Sequence, residues 1–528
     1  MLEIFSPDPR RYPKFRAPQC SIGEFVNLQF RNQQVETLRH TVFDVAIIGG
    51  GINGACLYHH LCEHGYSVLL LDKGDFGGGT SQASAMMIWG GLLYLRNWDV
   101  RTVRRLCVSR DRMMQDLGEW VEPRRFRYLP LKSGGRSKTL VRGALYLYWL
   151  LGGCSRSLPR QQKAFDEQAF LRRELFAPSL TYEEACVAPS DARFVLSWLL
   201  AHRGPRQVAL NHCTLEGGVH DRGDRRWTLE VKDSLTNTEH RVHARWVVNA
   251  AGVWTDAVNQ RFGMETPCKH LLSKGAWIGI KRQPNHHDPL LFDTTNNGDT
   301  ISLIPWGPIA LWGPTETIVE APEGGFAIRA DDIRFLLDEL NRHLRQPLTP
   351  ADVVSLRCGV RPLAVDRSYQ HNGHSLDLSR RHRICRDRDR PWISVFGGKL
   401  TNCVGLAKEV ARLISAVCSP SHPGGGSDPL LPGNPEWTIY PTLAERIPSA
   451  RWCAENEMSW RLEDYLRRRT NIAQWVPRGG LGAHGEHRTH LAEIARAFQR
   501  NGDGSARDQV AAYERKMQEC FDDVLAAC

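Results

Sequence analysis

FDVAIIGGGINGACLYHHLCEHGYSVLLLD, residues 43–72, is the stretch that decides the fold. FDVAII is a run of apolar and β-branched residues that is typical of a buried strand, and ACLYHHLCEHG has helical spacing that stops at Gly65. SVLLLD has the pattern of a second buried strand. A strand, a tight turn, a helix and a second strand in this order predict a βαβ unit of a parallel sheet.

The turn of this unit carries glycines at the spacing of a dinucleotide-binding motif. Gly49 permits a tight turn, Gly51 lets the backbone approach a pyrophosphate, and Gly54 lets the helix pack closely on the strand. The N-terminus of the helix offers N–H groups and a positive dipole end to the phosphates. Asp72 ends the second strand, where its carboxylate can accept hydrogen bonds from a ribose hydroxyl. The motif predicts a dinucleotide cofactor but does not separate FAD from NAD.

Composition indicates a folded protein with more than one domain. The 528 residues exceed one ordinary core, and 42% hydrophobic and 24% charged residues are usual for a globular protein. The net charge of +10 comes without a nucleic-acid-binding motif, so no nucleic-acid partner is expected. Fifteen scattered cysteines without a Cys-x-x-Cys pair predict neither a metal site nor a disulfide framework. With no signal-like segment, this pattern predicts a cytoplasmic protein.

The most apolar stretch, GALYLYWLLGG at residues 143–153, leaves two alternatives open. No segment reaches the roughly 20 apolar residues that cross a bilayer. The stretch can form a buried helix, or it can contact a membrane surface. Its short length favours burial, and peripheral docking at the inner face of a membrane stays open.

Five further motifs follow the glycine turn in the order found in a known family. With GGGINGA at 49–55, the chain resembles the FAD-dependent glycerol-3-phosphate dehydrogenases from about residue 43 to 412, and LEDYLRRRT at 462–470 resembles their C-terminal helical domain. The resemblance implies FAD as the cofactor. The five motifs are TSQASAMMIWGGLLYL at 80–95, VVNAAGVW at 247–254, CGVRPL at 358–363, SRRH at 379–382 and VFGGKLT at 395–401.

The resemblance implies an α/β fold with several domains. A Rossmann-type FAD-binding domain, discontinuous and with insertions, is expected at residues 41–256 and 355–418. Insertions form a β-rich substrate-binding domain at 257–354, and a C-terminal helical domain is expected at 438–528. The proline-containing residues 1–40 are expected to form an irregular N-terminal extension, and the Pro-, Gly- and Ser-rich residues 419–437 a linker.

Cofactor contacts beyond the glycine turn are implied by the same resemblance. The TSxxS run and the two glycines after it lie along the pyrophosphate and the isoalloxazine, the NAAG strand end lies against FAD, and the GGK turn lines the pyrimidine end. The helix after that turn can stabilise negative charge on the reduced flavin. The expected cofactor-binding residues are Gly49, Gly51, Asn53, Gly54, Asp72, Lys73, Thr80, Ser81, Ser84, Gly90, Gly91, Ala250, Ala251, Gly252, Gly397, Gly398, Lys399, Leu400 and Thr401.

Catalytic roles are also implied by the resemblance. Arg361 and Arg380 match two arginines that lie beside the substrate in the family, and Lys399 matches a lysine that reaches both flavin and substrate. The alternative for Arg361 is a buried structural ion pair. His382 and Tyr94 are candidates for the catalytic base, and the choice between them stays open.

The substrate site departs from the family pattern. Where the family has roughly SSKLIHGGLRYL, this chain has SAMMIWGGLLYL, so a lysine becomes Met86, a histidine becomes Trp89 and a substrate-contacting arginine becomes Leu93. A second histidine aligns with Trp277, and a phosphate-binding arginine of some members aligns with Asp299. The expected substrate-binding residues are Trp89, Leu93, Tyr94, Trp277 and Asp299.

These observations predict an FAD-dependent dehydrogenase or oxidase. It would transfer a hydride from a CH–OH or CH–NH carbon of a small substrate to flavin N5, and the lost arginines argue against glycerol-3-phosphate. Two alternatives stay open: an authentic FAD-dependent glycerol-3-phosphate dehydrogenase, and a flavin-binding protein without turnover. The electron acceptor, quinone or oxygen, and the oligomeric state are not visible in the residues.

Overall fold

The computed structural model describes residues 26–133, 135–162, 169–294, 300–320, 327–370, 381–422, 435–499 and 505–528. The strands are β1 Val42–Ile48, β2 Val68–Leu71, β3 Met87–Ile88, β4 Val121–Tyr128, β5 Arg160–Gln162, β6 Ser179–Val187, β7 Gln207–Leu210, β8 Cys213–Asp221, β9 Arg226–Asp233, β10 Thr238–Asn249, β11 Cys268–Lys281, β12 Leu290–Asp293, β13 Thr300–Trp306, β14 Ile309–Gly313, β15 Thr317–Val319, β16 Val353–Asp366, β17 Arg383–Arg386, β18 Trp392–Phe396, β19 Trp437–Ile439 and β20 Arg446–Pro448.

Helices connect and cover these strands. The α-helices are α1 Val26–His40, α2 Ile52–Glu63, α3 Val100–Asp116, α4 Lys138–Leu151, α5 Asp191–Leu200, α6 Thr255–Arg261, α7 Ala330–Asn341, α8 Cys403–Ser415, α9 Ala450–Asn456, α10 Ile472–Trp475, α11 Arg488–Arg496, α12 Ala506–Met517 and α13 Asp523–Ala526.

The first sheet has the mainly parallel arrangement that the βαβ unit predicts. Its strand order is β17-β18-β10-β1-β2-β7, with β17 antiparallel at one edge and the other neighbouring strands parallel. Ile48 pairs with both Asn249 and Leu71, so the carboxyl ends of β1, β10 and β2 meet at one edge. Ligands of open α/β sheets bind at this kind of edge. The predicted α/β class is confirmed.

Both faces of this sheet are buried. Helices α2, α5 and α8 cover one face with a core that includes Leu57, Phe194 and Leu406. The other face packs against the antiparallel extension β8–β9, with Trp227 and Trp392 in its core. Parallel sheets are stable when both faces are covered in this way.

A second sheet of ten strands lies beside the first. Its order is β15-β11-β14-β13-β12-β4-β6-β3, with β16 paired to β11 and β5 to β6. The strands come from residues 87–88, 121–187, 268–319 and 353–366, so separate insertions build one sheet. The long antiparallel pair β11–β16 sets Ser273 opposite Arg361. The division into domains by residue number stays a prediction.

The irregular structure expected for the N-terminal extension is wrong for residues 26–40, which form α1. Arg31 donates to Asp233 across 2.9 Å, and both side chains are at most 3% exposed. Leu38 packs into the core beneath the first sheet. The helix is therefore stabilised by its contacts with the sheet. The proline content of residues 1–40 gives no information about such long-range contacts.

Helix α4 contains most of the apolar stretch 143–153, and it is only partly buried. Leu145 and Tyr148 face the core, whereas Leu140, Tyr146 and Leu150 are 68%, 39% and 58% exposed. The expectation of burial therefore holds for one face of the helix only. Across the described ranges, every helix is too short or too polar to cross a membrane.

Residues 435–528, where described, are mainly helical and dock on the first sheet through a buried charge network. Arg469 Nη1 lies 2.6 Å from Asp75 Oδ2, and Arg468 pairs with both Asp75 and Asp464. Burial alone would raise the pKa of Asp75, but the two guanidinium groups hold it well below its usual value. Because the charges pair across the contact, removing one partner would leave the other buried and unpaired.

Candidate cofactor and substrate site

Two glycines of the turn are required by packing within the protein. Gly49 has φ +103°, and a Cβ there would lie 2.7 Å from the carbonyl oxygen of Ala250. A Cβ at Gly54 would lie 1.9 Å from the carbonyl oxygen of Gly49. Both positions therefore exclude a side chain whether or not a ligand is bound.

Gly51 differs, because among the described residues only the end of the Ser81 side chain stands close to the place of a Cβ. Its φ of −76° and ψ of 179° suit any residue, and a Cβ would meet only Ser81 Oγ, at 3.1 Å. Gly51, the N-cap residue of α2, has no side chain to accept from the helix N–H groups, and Ser81 Oγ accepts from one of them, that of Ile52. The space in front of Gly51 and the N–H groups of the helix fit a pyrophosphate.

Asp72 stands at the same edge of the sheet. Its Oδ2 accepts a hydrogen bond from the backbone N–H of Gly50 at 2.7 Å, and its Oδ1 accepts one from Gly74 at 2.9 Å. Burial raises the pKa of Asp72 to about 6, although these two amide bonds act in the opposite direction. Each carboxylate oxygen keeps a lone pair for a ribose hydroxyl. Next to it, the Lys73 ammonium lies 3.8 Å from the centroid of a Trp254 ring.

The TSxxS run is anchored by its own side chains. Thr80 Oγ1 donates to the carbonyl oxygen of Val360 at 2.6 Å, and Ser84 Oγ donates to Asp191 Oδ2 at 2.8 Å. Ser81 Oγ accepts from the backbone N–H of Ile52 at 3.0 Å. These contacts hold the run between α2, β16 and α5, and the cofactor contacts expected of it stay predictions.

Three segments far apart in sequence meet at the N-terminus of α2. Asn53 Nδ2 donates to the carbonyl oxygen of Gly397 at 3.0 Å, which brings the GGK turn to the helix. Thr401 Oγ1 accepts from the backbone N–H of Trp89 at 2.9 Å. Asn53 Oδ1 is buried and has no hydrogen-bond partner among the described residues. An unpaired buried acceptor at this position fits a cofactor that supplies the donor.

Lys399 and the aromatic residues of the WGGLLY run lie together. The Lys399 ammonium is 4.1 Å from the centroid of the Tyr94 ring, within cation–π distance. The rings of Tyr94 and Trp89 are 6.0 Å apart. Leu93, in the same short 3-10 helix, is half-buried. The structure thus brings four of the sequence-predicted residues to one place.

Arg361 lies next to an acidic residue that sequence reasoning missed. Its Nη1 is 3.3 Å from Ser273 Oγ and 4.0 Å from Glu316 Oε1, and its side chain is 27% exposed. A Cβ at Gly275 would lie 2.7 Å from the Arg361 guanidinium, so glycine there makes room for the arginine. The Glu316 carboxylate offsets part of the positive charge that Arg361 offers to a ligand.

The other expected substrate-binding and catalytic residues are either engaged in contacts within the protein or lie outside the described residues. Trp277 shares the face of β11 that carries Ser273, but it is only 3% exposed and packs against Gly313. His382 Nε2 is 2.9 Å from Glu409 Oε2, and its Nδ1 is 3.2 Å from Asn402 Nδ2. Its ring nitrogens are therefore engaged by a glutamate within α8 and by the residue just before that helix. Asp299 and Arg380 lie outside the described residues.

A buried network beneath Gly90 was not predicted from the sequence. Glu184, with no exposed surface, accepts from the backbone N–H of Gly90 at 3.2 Å and from Arg110 Nη1 at 2.9 Å. Tyr148 OH also donates to Glu184. Burial raises the pKa of Glu184, and Arg110 opposes that rise. Positions 110, 148 and 184 share no local motif, so only the folded chain reveals them.

His270 is a second supporting residue that the sequence did not single out. Its Nε2 accepts a hydrogen bond from the backbone N–H of Gly397 at 2.9 Å. Its ring packs on Phe396 with centroids 4.9 Å apart. This contact orders the first glycine of the GGK turn, at which φ is +70°.

Comparison with known proteins places these features in a family. The family profile described as "FAD dependent oxidoreductase" matches residues 44–413. The chain is 26% identical over 458 residues to a glycerol-3-phosphate dehydrogenase of Pseudomonas aeruginosa, covering 84% of this chain and 87% of that protein. It is 29% identical over 405 residues to the aerobic glycerol-3-phosphate dehydrogenase of Escherichia coli K12, covering 74% and 77%.

A solved structure gives the same picture of the fold. The glycerol-3-phosphate dehydrogenase from Bacillus halodurans complexed with FAD has a TM-score of 0.68 and 19% identity. The similarity covers 94% of this chain and 98% of that one. The resemblance drawn from the motifs is therefore confirmed.

Proposed function

The chain belongs to the FAD-dependent oxidoreductase family, and from that premise we propose that it oxidises a CH–OH or CH–NH carbon of a small substrate other than glycerol-3-phosphate. FAD is the cofactor, and when bound it supplies the acceptor for the hydride. Two features together carry the proposal. Gly51 and Asp72 form an ordered cofactor-binding edge, and on the substrate side Leu93 stands where the family has an arginine.

The residues of the chain have separate tasks in this proposal. The N-terminus of α2 and the backbone at Gly51 bind the pyrophosphate, and Asp72 accepts hydrogen bonds from the ribose. Arg361 orients the substrate heteroatom. Lys399 supplies a positive charge where negative charge develops during the reaction. The identity of the catalytic base, Tyr94 or His382, is kept open.

The charges of the site disfavour glycerol-3-phosphate as the substrate. A phosphate dianion needs charge-assisted donors, and each contributes about 1.5–3 kcal/mol. Leu93 and Asp299 stand where the family arginines are expected. Loss of two donors weakens phosphate binding by roughly two to four orders of magnitude, at about 1.4 kcal/mol per tenfold. Glu316 beside Arg361 acts in the same direction, because it offsets a remaining positive charge.

Two alternatives keep some support. An authentic glycerol-3-phosphate dehydrogenase is favoured by the retention of Arg361 and Lys399 and by the activities in the names of the relatives. A flavin-binding protein without turnover is disfavoured by the intact GGK motif, whose turn is held by Asn53 and His270.

One experiment separates these readings. FAD-loaded protein is mixed anaerobically with glycerol-3-phosphate, other polyols, sugars, amino alcohols and amino acids, and flavin bleaching is followed. We expect reduction by an unphosphorylated substrate. The substitution Leu93→Arg should improve binding of glycerol-3-phosphate, whereas Val108→Arg, at an exposed position of α3, should not. Rapid bleaching of the unaltered protein by glycerol-3-phosphate supports the authentic dehydrogenase, and bleaching by none of the compounds supports the non-catalytic reading.

The electron acceptor is a quinone or oxygen, and the exposed apolar face of α4 offers a means of approach to a quinone in a bilayer. This face exposes the large apolar side chains of Leu140, Tyr146 and Leu150 on a short helix. Such a helix can lie in the membrane interface without spanning it. We expect the protein to sediment with lipid vesicles and the double variant Leu140→Ser/Leu150→Ser to remain in the supernatant. Equal sedimentation of both would exclude α4 as the contact.

A further inference from the structure

The end of α2 carries three metal-ligand side chains away from the cofactor site. His60, Glu63 and His64 follow i, i+3, i+4 spacing, so their side chains share one face. One ligand atom from each lies within 4.8 Å of the others, and the two imidazole centroids are 4.2 Å apart. Imidazole nitrogen and carboxylate oxygen are the ligand types that suit Zn²⁺ and related divalent cations. Glu63 and His60 are half-buried and His64 is exposed, so an ion can enter from solvent.

One ligand is already oriented by the protein. His64 Nδ1 lies 2.7 Å from the carbonyl oxygen of His60, and since a carbonyl only accepts, Nδ1 carries the proton and donates. The lone pair of His64 is therefore on Nε2. Metal-binding histidines are commonly held in this way, with the second ring nitrogen donating to a carbonyl group. Likewise, Glu63 Oε1 is 3.4 Å from His59 Nε2, and this contact helps to orient the carboxylate.

The position at the end of a helix favours a cation. The carboxyl end of α2 carries the negative end of the helix dipole, and this attracts positive charge. Lys408 of α8, which packs on α2, acts electrostatically on His60 and opposes an added cation. Lys408 therefore opposes binding of a cation at this site, and its removal is a direct test.

A second cluster with suitable atoms is less favourable. Asp75, His212 and Asp464 lie within the same distance limit and are all buried. Arg468 and Arg469 already pair with its carboxylates, so positive charge is present where an ion would sit. This cluster is explained by the network that docks the C-terminal residues.

We propose that His60, Glu63 and His64 bind one divalent transition-metal ion, with water completing the coordination. At a rise of about 1.5 Å per residue, the ligands lie roughly 12–18 Å along α2 from its start at Ile52, which is too far for contact with the pyrophosphate. The ion therefore makes no contact with the phosphates of the cofactor. Affinity should follow Cu²⁺ above Ni²⁺ and Zn²⁺, with Mg²⁺ weakest.

The binding test uses the full FAD-loaded chain, freed of metal by dialysis against a chelator and then titrated with ZnCl₂ in a calorimeter. We expect one Zn²⁺ per chain, at least tenfold weaker binding in His64→Ala, and tighter binding in Lys408→Gln. The matched control is His40→Ala, because His40 pairs with a glutamate at i−4 on α1 and has no second histidine on that turn. It should bind Zn²⁺ like the unaltered protein. His64 is exposed, and an unchanged flavin content will show that its variant is folded.

Electron paramagnetic resonance of the Cu²⁺ form identifies the ligands. We expect hyperfine splitting from two imidazole nitrogens in the unaltered protein and from one in His64→Ala. The proposal is overturned if the double variant His60→Ala/His64→Ala still binds one Zn²⁺ with unchanged affinity, or if the nitrogen count is the same with and without His64. Failure to bind Zn²⁺ at all overturns it as well.

Discussion

Substituting Gly51 and Gly54 separately should give two different defects. At Gly51 the backbone suits any residue and a Cβ meets only Ser81 Oγ. The apoprotein of Gly51→Val should therefore still fold. Glycine is preferred over valine at this N-cap, at a cost of no more than about 1 kcal/mol. At Gly54 a Cβ would lie 1.9 Å from the carbonyl oxygen of Gly49, so Gly54→Ala must push α2 away from β1. Overpacking of this kind costs about 1–3 kcal/mol or more.

The effect of Gly51→Val on FAD binding can be estimated from the hydrogen bonds it blocks. A branched side chain keeps the pyrophosphate from the helix N–H groups, and each bond to a charged group contributes about 1.5–3 kcal/mol. Loss of two such bonds gives about 3–6 kcal/mol, or roughly 10²- to 10⁴-fold weaker binding.

The assay compares FAD content after purification, FAD titration of the apoprotein and thermal unfolding of the apoprotein. We expect Gly51→Val to unfold within about 4 °C of the unaltered apoprotein and to fail in FAD binding. Gly54→Ala should unfold at a lower temperature. If Gly51→Val retains FAD with unaltered affinity, the pyrophosphate does not lie at the N-terminus of α2 and the assigned cofactor residues are wrong.

Three further outcomes follow from the site. Lys399→Ala should keep FAD but slow single-turnover flavin reduction by roughly 10²-fold, because a cation is lost where negative charge develops, while Lys408→Ala should reduce at the normal rate. FAD affinity should be constant above about pH 7 and fall by up to about tenfold per pH unit below pH 6, because the raised pKa of Asp72, about 6, means that its carboxylate becomes protonated over this range; a titration of Asp72→Asn should show no such step. Glu184→Ala should destabilise the fold by about 3–5 kcal/mol, seen as a lower urea midpoint, because Arg110 stays buried without its partner; the double variant Glu184→Gln/Arg110→Met should lose less.

Local patterns in the sequence were sufficient for the βαβ unit of the first sheet. The predicted strand from Phe43, the helix ending before Gly65 and the strand at 67–72 correspond to β1, α2 and β2. These elements are specified by apolar runs and glycines that lie next to each other in the chain, so periodicity finds them. The helix expected after the GGK turn corresponds to α8.

Contacts between segments far apart in the chain could not be predicted from the sequence. The extension at 26–40 folds as a helix because Arg31 reaches Asp233, more than two hundred residues away. Strands β4 and β6 join the second sheet by pairing with segments that no local pattern connects to them. Glu184 and His270 support the cofactor turns from such positions. Propensity and periodicity describe single elements, whereas pairing depends on the whole chain.

The most direct test of the account is the rate of flavin reduction in an anaerobic stopped-flow experiment with the FAD-loaded protein. The account predicts that an unphosphorylated polyol, sugar, amino alcohol or amino acid reduces the flavin in a single exponential that saturates with substrate. Glycerol-3-phosphate should act slowly and only at concentrations far above those of the efficient substrate. Fast, saturable reduction by micromolar glycerol-3-phosphate would contradict the account and show that Leu93 and Glu316 do not prevent phosphate binding.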